Sequence, residues 1–257
     1  MIDALGGGLI TLGKYSQELL GLMKNTFKGV LTPPFRVRDT IQQFYFIANQ
    51  SVFIIIVCVS FAAVVTIIES SFHMKIVIQN DSLVPGFAAM LILRELGSVV
   101  MALLLTSRVG AGIAAEVGTM KITEQIDALK MLGLDPVRFI VVPRFIASVA
   151  AGFVLAIIAN LVCLFFAMLV STMKLGSSFG AFITAMNAFV GFQDLVFAGI
   201  KGAVFGAVIP LFSCFYGFRC RAGAEGVGLA TTNSVVATSV AIIVLDFVLT
   251  YVFSYMY

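Results

Sequence analysis

The chain has no tryptophan, a single histidine and four cysteines, and only 11% of its 257 residues are charged. An ordinary soluble domain carries about 25% charged residues, so the low charge excludes that class. The cysteines Cys58, Cys163, Cys214 and Cys220 fall within or at the ends of apolar segments, where thiols act as small apolar side chains. Neither a disulfide framework nor a metal site is therefore expected, and His73 is expected to be solvated or to lie at the membrane interface.

The chain is instead rich in apolar residues, which make up 60% of the sequence and fall in long runs. A soluble core segment is rarely apolar for more than about 10 to 14 residues, whereas a helix that crosses a bilayer needs about 20. We expect five membrane-spanning helices, at residues 52–68, 83–105, 139–170, 195–218 and 235–257. The third run exceeds what a bilayer requires, so a tilt, a kink near Pro143 or an extension beyond the membrane is expected. The sequence thus predicts an all-α integral membrane protein, with residues 1–257 forming one membrane domain.

Basic residues predict how the chain is oriented, because Lys and Arg concentrate on the cytoplasmic side of membrane proteins. With the N-terminus inside, twelve of the 16 Lys and Arg residues fall in cytoplasmic segments, and only Lys75 and Lys174 fall outside. The N-terminus is therefore expected in the cytoplasm, and the C-terminus, after an odd number of spans, on the opposite side.

Before the first span, residues 9–31 carry apolar side chains every three or four positions, with basic and polar residues between them. This pattern predicts an amphipathic helix that is stopped by Pro33-Pro34 and lies on the anionic inner leaflet. The segment lacks the features of a cleaved signal peptide, so it is expected to be retained.

Four charged residues fall inside the predicted spans, where each central charge costs about 2.5 to 3.5 kcal/mol. They are Arg94 and Glu95 in the second span, Lys201 in the fourth and Asp246 in the fifth. We expect Lys201 to pair with Glu95 or Asp246, because both carboxylates lie near mid-bilayer and a lysine side chain is long enough to reach them. Two interpretations stay open: the charges only lock helices together, or at least one faces a polar or amphiphilic substrate path.

Small residues indicate where helices pack closely. In the fourth span Gly202 and Gly206 are four residues apart, a spacing typical of close helix contacts, and Gly199 lies nearby. The small residues around Gly112 suggest the same role at the start of the following polar stretch.

Between the second and third spans, residues 107–139 form a polar stretch with helical periodicity. Ile122, Ile126 and Leu129 repeat on one face, and Asp135-Pro136 supplies a cap and a first-turn proline for the next helix. We expect a short amphipathic helix at residues 118–132 that docks on a soluble partner; the alternative is a plain surface loop.

These features occur together with a set of ordered motifs that is similar to a known family. The motifs are Arg94-Glu95-Leu96-Gly97, Arg108 to Glu116, Thr123-Glu124-Gln125, Asp135-Pro136, Pro143-Arg144, Ala230-Thr231-Thr232 and Leu245 to Thr250. Their order and spacing resemble the MlaE (YrbE) family of permeases, the membrane subunits of MCE-linked ABC lipid transporters. The resemblance covers nearly the whole chain.

The resemblance implies a homodimeric permease in the bacterial inner membrane that moves phospholipid and so supports outer membrane asymmetry. Residues 118–132 would be the coupling helix that sits in a groove of a cytoplasmic ABC ATPase, and an MCE-domain protein would bind on the periplasmic side. The ATPase contact is expected to involve Glu116, Lys121, Glu124, Asp127 and Lys130. The ATP would be bound by the partner, so the permease itself is expected to have no catalytic residues, no cofactor, no metal and no nucleic-acid partner.

The resemblance also places a substrate pocket at the dimer interface. Its expected lining is the outer part of the first span, at Ile67, Ile68 and Phe72, together with Arg94 and Glu95.

Two other classes of protein compete with this interpretation. An ion-coupled secondary transporter or channel would use Glu95, Lys201 and Asp246 as a charge relay. An intramembrane enzyme would need a catalytic set, and the sequence offers no convincing one.

Overall fold

The computed structural model describes residues 2–33, 36–77, 84–176, 178–221 and 223–255, and within these ranges the chain is helical apart from short connections. Ten α-helices follow one another in the described residues, three of them preceded by a single wide π-helical turn. The α-helices are α1 (Ile2–Leu31), α2 (Val37–Val77), α3 (Val84–Leu91), α4 (Gly97–Leu105), α5 (Ala111–Ile122), α6 (Gln125–Met131), α7 (Val142–Leu175), α8 (Phe179–Phe189), α9 (Phe192–Phe218) and α10 (Ala224–Ser254). The π turns are Ile92–Leu96, Thr106–Gly110 and Val137–Val141.

Within the described residues, five helical stretches are long and apolar enough to cross a membrane, which confirms the predicted fold class. They are Val37–Met74, Val84–Ile122, Val137–Lys174, Phe192–Phe218 and Ala224–Ser254. A helix suits this environment because it satisfies all of its backbone hydrogen bonds within one segment.

The helices extend beyond the apolar runs that the sequence marks. The first helix begins at Ile2 rather than at residue 9, the second span continues as helix to Ile122, and the last begins at Ala224 rather than at residue 235. Backbone hydrogen bonding does not require apolar side chains, so a helix continues into polar sequence where a hydropathy pattern stops. The predicted limits at Pro34, Leu83 and Tyr257 lie outside the described residues.

The predicted coupling helix at residues 118–132 is two helices rather than one. Helix α5 ends at Ile122, and Glu124 has a left-handed backbone with φ 58° before α6 begins at Gln125. A left-handed residue ends a right-handed helix, which is the physical reason for the break. The predicted cap before the next helix is present, since Val137 N donates to Asp135 Oδ1 at 2.9 Å.

The chain divides into two compact units. The first contains the chain up to Phe44, Thr106–Ser148 and Ala207–Ser239. Within it α1 packs on other helices: the rings of Phe27 and Phe145 lie 5.5 Å apart, and Arg219 pairs with Glu18 at 2.7 Å.

The second unit contains Tyr45–Leu105, Val149–Gly206 and the chain from Val240. Within it α7 and α9 approach closely at two glycines: a Cβ atom at Gly202 would lie 2.5 Å from the carbonyl oxygen of Gly152 and would collide with Ala156. This contact agrees with the packing role predicted for Gly202. In the first unit, a Cβ atom at Gly112 would meet no described atom within 4 Å, so Gly112 itself makes no close contact within the described residues. Ala114 does, since a Cβ atom at Gly217 on α9 would lie 3.2 Å from its carbonyl oxygen.

Candidate functional site

The second unit gathers the charged residues of the spans around one lysine. Lys201 Nζ, on α9, donates to Glu95 Oε1 at 3.3 Å, to the Arg94 carbonyl oxygen at 2.6 Å and to Thr250 Oγ1 at 2.9 Å. It also lies 2.8 Å from Asp246 Oδ1, on α10. Lys201 is only 3% exposed, so its charge is stabilised by these neighbours rather than by water. The sequence left Glu95 and Asp246 as alternative partners, and the structure brings Lys201 to both.

A π turn positions the first two members of this cluster. Arg94 and Glu95 lie in the wide turn Ile92–Leu96, which is inserted between α3 and α4. Such turns occur frequently at functional sites because they redirect side chains and leave a carbonyl group free. Here the carbonyl oxygen of Arg94 accepts the shortest of the hydrogen bonds from Lys201.

Arg94 pairs with a residue that the sequence analysis missed. Its Nε donates to Asp194 Oδ1 at 2.8 Å, and Asp194 Oδ2 accepts from the Gly191 backbone N–H at 2.8 Å. Asp194 lies in the first turn of α9, one residue before the predicted span, and was therefore counted as outside the membrane. The feature of the sequence that could have identified Asp194 as a partner is its negative charge, which is opposite to that of Arg94.

The cluster contains one more carboxylate than it has basic side chains. Glu95, Asp194 and Asp246 face Arg94 and Lys201, and within the described residues Asp246 Oδ1 has no hydrogen bond despite its ion pair with Lys201. A further cationic group would therefore be favourable at this position.

The cluster forms one wall of a cavity of about 220 Å³ in the second unit. Arg94, Glu95 and Lys201 line it together with Phe197 and Phe253, whose ring centroids lie 3.6 Å apart. The side chains of Arg94 and Glu95 are 39% and 38% exposed, so both are accessible from the cavity. The cavity thus presents charges of both signs next to an aromatic surface.

The structure does not bring the other predicted substrate residues to this cavity. Ile67 is buried, whereas Ile68 and Phe72 are exposed on α2. None of the three lines the cavity in the described part of the chain.

The residues predicted to contact an ATPase lie in the first unit, and four of the five are held in ion pairs. Glu116 pairs with the buried Arg144 at 2.7 Å, and Asp127 pairs with Lys121 at 2.9 Å and with Lys130 at 2.8 Å. Hydrogen bonds from Lys130 and then Lys121 lower the pKa of Asp127 to about 2, so this carboxylate is charged at neutral pH. Asp127 is therefore neutralised within the chain, and of the five residues Glu124 is the one for which the described residues show no ion pair.

Apolar side chains at the end of α6 were also missed. Met131 is 90% exposed and Leu132 is 75% exposed, directly after the ion-paired α6. The sequence analysis treated residues 107–139 as polar and named only Ile122, Ile126 and Leu129 as an apolar face. Apolar side chains this exposed, outside the membrane-spanning stretches, form a surface that a protein partner could cover.

The described residues contain no group of three or more His, Cys, Asp or Glu side chains placed to hold a metal ion. The chemistry that this site offers is ionic and apolar contact with a bound molecule. Five membrane-spanning helices in the described residues, together with a cavity that has both charged and aromatic walls, define a multi-pass membrane protein.

The chain belongs to the MlaE permease family. The family model described as "Permease MlaE" matches residues 40–252, which include all of the residues of the charge cluster. The family predicted from the sequence motifs is thereby confirmed.

Curated relatives agree with this assignment. The chain is 32% identical over 225 residues to a probable ABC transporter permease protein of Rickettsia conorii, covering 88% of this chain and 86% of the relative. It is 32% identical over 211 residues to the intermembrane phospholipid transport system permease protein MlaE of Haemophilus influenzae, covering 82% and 80% of the two chains. It is also 36% identical over 164 residues to the chloroplastic protein TRIGALACTOSYLDIACYLGLYCEROL 1 of Arabidopsis thaliana, covering 64% and 47%.

Proposed function

We propose that this chain is the permease subunit of an ABC-type transport system that moves phospholipid between the bacterial inner membrane and a periplasmic MCE-domain protein. The observation that carries the proposal is the cavity in which Arg94, Glu95 and Lys201 lie next to Phe197 and Phe253. A phospholipid has a charged head group and apolar chains, and this wall offers a partner for each. The name of the Haemophilus relative supports phospholipid as the substrate.

A separate cytoplasmic ABC ATPase would supply the energy, and the permease would make no covalent change. The broken helix α5–α6 and the exposed Met131 and Leu132 support this docking. An apolar projection held on a short, ion-paired helix suits a groove in a partner protein. ATP would be bound by that partner, so the permease needs no cofactor of its own.

We further propose that two copies of the chain form the transporter. Helix α10 supports this, because only 11% of its most apolar window is buried within one copy. The exposed Ile68 and Phe72 would line the substrate path across the dimer interface, and the buried Ile67 would support them from behind.

Orientation with the N-terminus in the cytoplasm and the C-terminus in the periplasm follows from the distribution of basic residues. A cysteine added after the C-terminus should react with a membrane-impermeant reagent in intact spheroplasts. Absence of labelling there, with labelling after lysis, would contradict the five-span orientation.

An ion-coupled secondary transporter is the second candidate function. It is favoured by the arrangement in which the carboxylates of Glu95 and Asp246 share the single ammonium of Lys201. Purified protein alone would then move its substrate in response to an ion gradient.

Co-purification tests the proposal. The tagged chain should retain an ATPase and phospholipid, and the double variant Arg94→Gln/Asp194→Asn should retain the ATPase but less lipid. Changing both residues avoids leaving the buried Asp194 carboxylate without its arginine. The control is Arg38→Gln, because Arg38 is exposed and does not line the cavity. Recovery of neither ATPase nor phospholipid with the wild-type chain would contradict the proposal.

A further inference from the structure

Two adjoining cavities lie in the first unit, and none of their lining residues belongs to the charge cluster. The larger, of about 590 Å³, lies between the end of α1, the start of α2, the loop after α6 and the start of α7. The smaller, of about 260 Å³, has Arg36, Phe139 and Pro143 as walls in common with the larger. We call the two together the elbow site, because they lie where α1 gives way to α2.

The two cavities differ in the character of their walls. Val37, Ile41, Val142 and Ile146 give the larger one apolar surface. The smaller one is lined mainly by polar and charged side chains, which are Arg36, Asp39, Gln42, Gln43, Glu116 and Arg144. A molecule that fills both must therefore be polar at one end and apolar at the other.

Two arginines lie on the walls of the larger cavity. Arg36 stacks over the Phe139 ring, 3.6 Å from its centroid, and pairs with Asp39 at 2.7 Å. Arg138 donates to the hydroxyl and carbonyl oxygens of Thr32, which are both neutral. Among the described residues no carboxylate forms an ion pair with Arg138, so its positive charge favours an anion at this cavity.

A third arginine reaches the smaller cavity from the interior. Arg144 is 7% exposed and pairs with Glu116, yet its Nε has no hydrogen-bond partner within the described residues. That Nε is closed off from solvent, so the part of Arg144 that lines the smaller cavity adds positive charge to its wall, next to the carboxylate of Glu116.

We propose that the elbow site binds one anionic phospholipid of the surrounding membrane, distinct from the lipid that is transported. One acyl chain would occupy the larger cavity, and the phosphate diester and the head-group oxygens would lie between Arg138, Arg36 and Arg144. Guanidinium groups suit phosphate because their planar donors match its oxygens. The larger cavity lies within the range of about 300 to 1,000 Å³ typical of small-molecule sites, whereas a free phosphate would leave its apolar part empty.

The position of the elbow site gives this lipid a structural consequence. Gly133, Leu134 and Asp135, which follow α6, line the larger cavity together with Gly29 and Thr32 near the end of α1. A bound lipid would therefore join the end of the interfacial helix to the loop after α6. We therefore expect the position of α6 to depend on the anionic lipid in the membrane.

Photocrosslinking tests this site separately from the transport path. A p-benzoylphenylalanine in place of Ile41 should crosslink dioleoyl phosphatidylglycerol in nanodiscs of dioleoyl phosphatidylcholine at roughly tenfold the yield expected from its mole fraction. The matched control is the same group in place of Val65, which is 63% exposed on α2, as Ile41 is, but lines neither cavity. Val65 should crosslink the two lipids in proportion to their amounts.

Changes of the arginines complete the test. Arg36→Gln/Arg138→Gln should abolish the enrichment at position 41, Arg38→Gln should retain it, and free glycerol phosphate should not compete. Equal lipid selectivity at positions 41 and 65, unchanged enrichment in the double variant, or loss of enrichment in Arg38→Gln would overturn the proposal. If the double variant does not fold, the test rests on lipid selectivity at positions 41 and 65, compared in a chain that keeps all of its arginines.

Discussion

At the scale of residues, the most consequential side chain is Lys201. It is nearly inaccessible to water and contacts two carboxylates, a hydroxyl and a carbonyl oxygen contributed by the π turn and by α10. A buried charge is tolerated only when its partners satisfy it, and removing one partner leaves the others uncompensated. The cluster is thus a coupled group, in which single changes should cost more than matched ones.

Substitution of Lys201 tests this coupling. Lys201→Met strands Glu95 and Asp246 and should destabilise the protein by about 3 to 5 kcal/mol. Addition of Glu95→Gln or Asp246→Asn should restore part of the loss, because the remaining carboxylate then faces less repulsion. Thermal unfolding of the purified protein and its yield give the comparison.

The control for this cycle is Lys174→Met, which removes an exposed lysine near the end of α7 and should have little effect. Strictly additive losses in both double variants would show that the three groups do not interact energetically.

Residues also show where sequence reasoning stopped. The charges at positions 94, 95, 201 and 246 were predictable because charges in apolar runs are costly and therefore conspicuous. Asp194 was not, since it lies one residue before its apolar run and looked solvated. The pairing of Arg94 with Asp194, and of Lys201 with two carboxylates, depends on how each helix is rotated about its axis. Hydrophobic periodicity does not determine that rotation.

At the scale of elements, the sequence indicated the five spans but missed three features with physical causes. Helix α8 is only 11 residues long, too short for a span, so the apolar run of Phe179–Phe189 gave no signal of its own. The continuation of the second span from Thr106–Gly110 into α5 was placed in a separate polar stretch, in which a helix was expected only from residue 118. The break at Glu124 was missed because no glycine marks it.

The break itself can be tested by changing the backbone preference of residue 124. Asn adopts the left-handed conformation readily, whereas the β-branched Val does so only with strain. Both variants remove the Glu124 carboxylate, so if the break orients α6 for docking, Glu124→Asn should retain more of the co-purified ATPase than Glu124→Val does. Equal recovery of ATPase with both variants would show that the left-handed turn has no role in docking.

Close packing of α7 on α9 gives a second test at this scale. Gly202→Ala places a methyl group against Ala156 and the Gly152 carbonyl, and overpacking of this kind costs about 1 to 3 kcal/mol. Gly112→Ala, where space is open, should be neutral or stabilise the protein by up to about 1 kcal/mol. Thermal unfolding that is unchanged by Gly202→Ala would contradict the observed contact.

At the scale of the whole molecule, the proposed function assigns different steps to two sets of residues. In that proposal, the charge cluster and its aromatic neighbours bind lipid, and the ion-paired α6 with the exposed Met131 docks on the ATPase. The central claim is that energy enters from a separate ATPase at the second surface and is used at the first. An ion-coupled transporter would instead need only the charge cluster and an ion gradient.

Reconstitution tests this claim most directly. Proteoliposomes containing the chain, its co-purified ATPase and its MCE-domain partner should move labelled phospholipid between the membrane and that partner only when ATP is hydrolysed. Arg94→Gln/Asp194→Asn should slow this movement at least tenfold, a loss of about 1.4 kcal/mol in the interaction with the lipid, while ATPase assembly persists. Phospholipid movement by the chain alone, driven by an ion gradient and indifferent to ATP, would contradict the account.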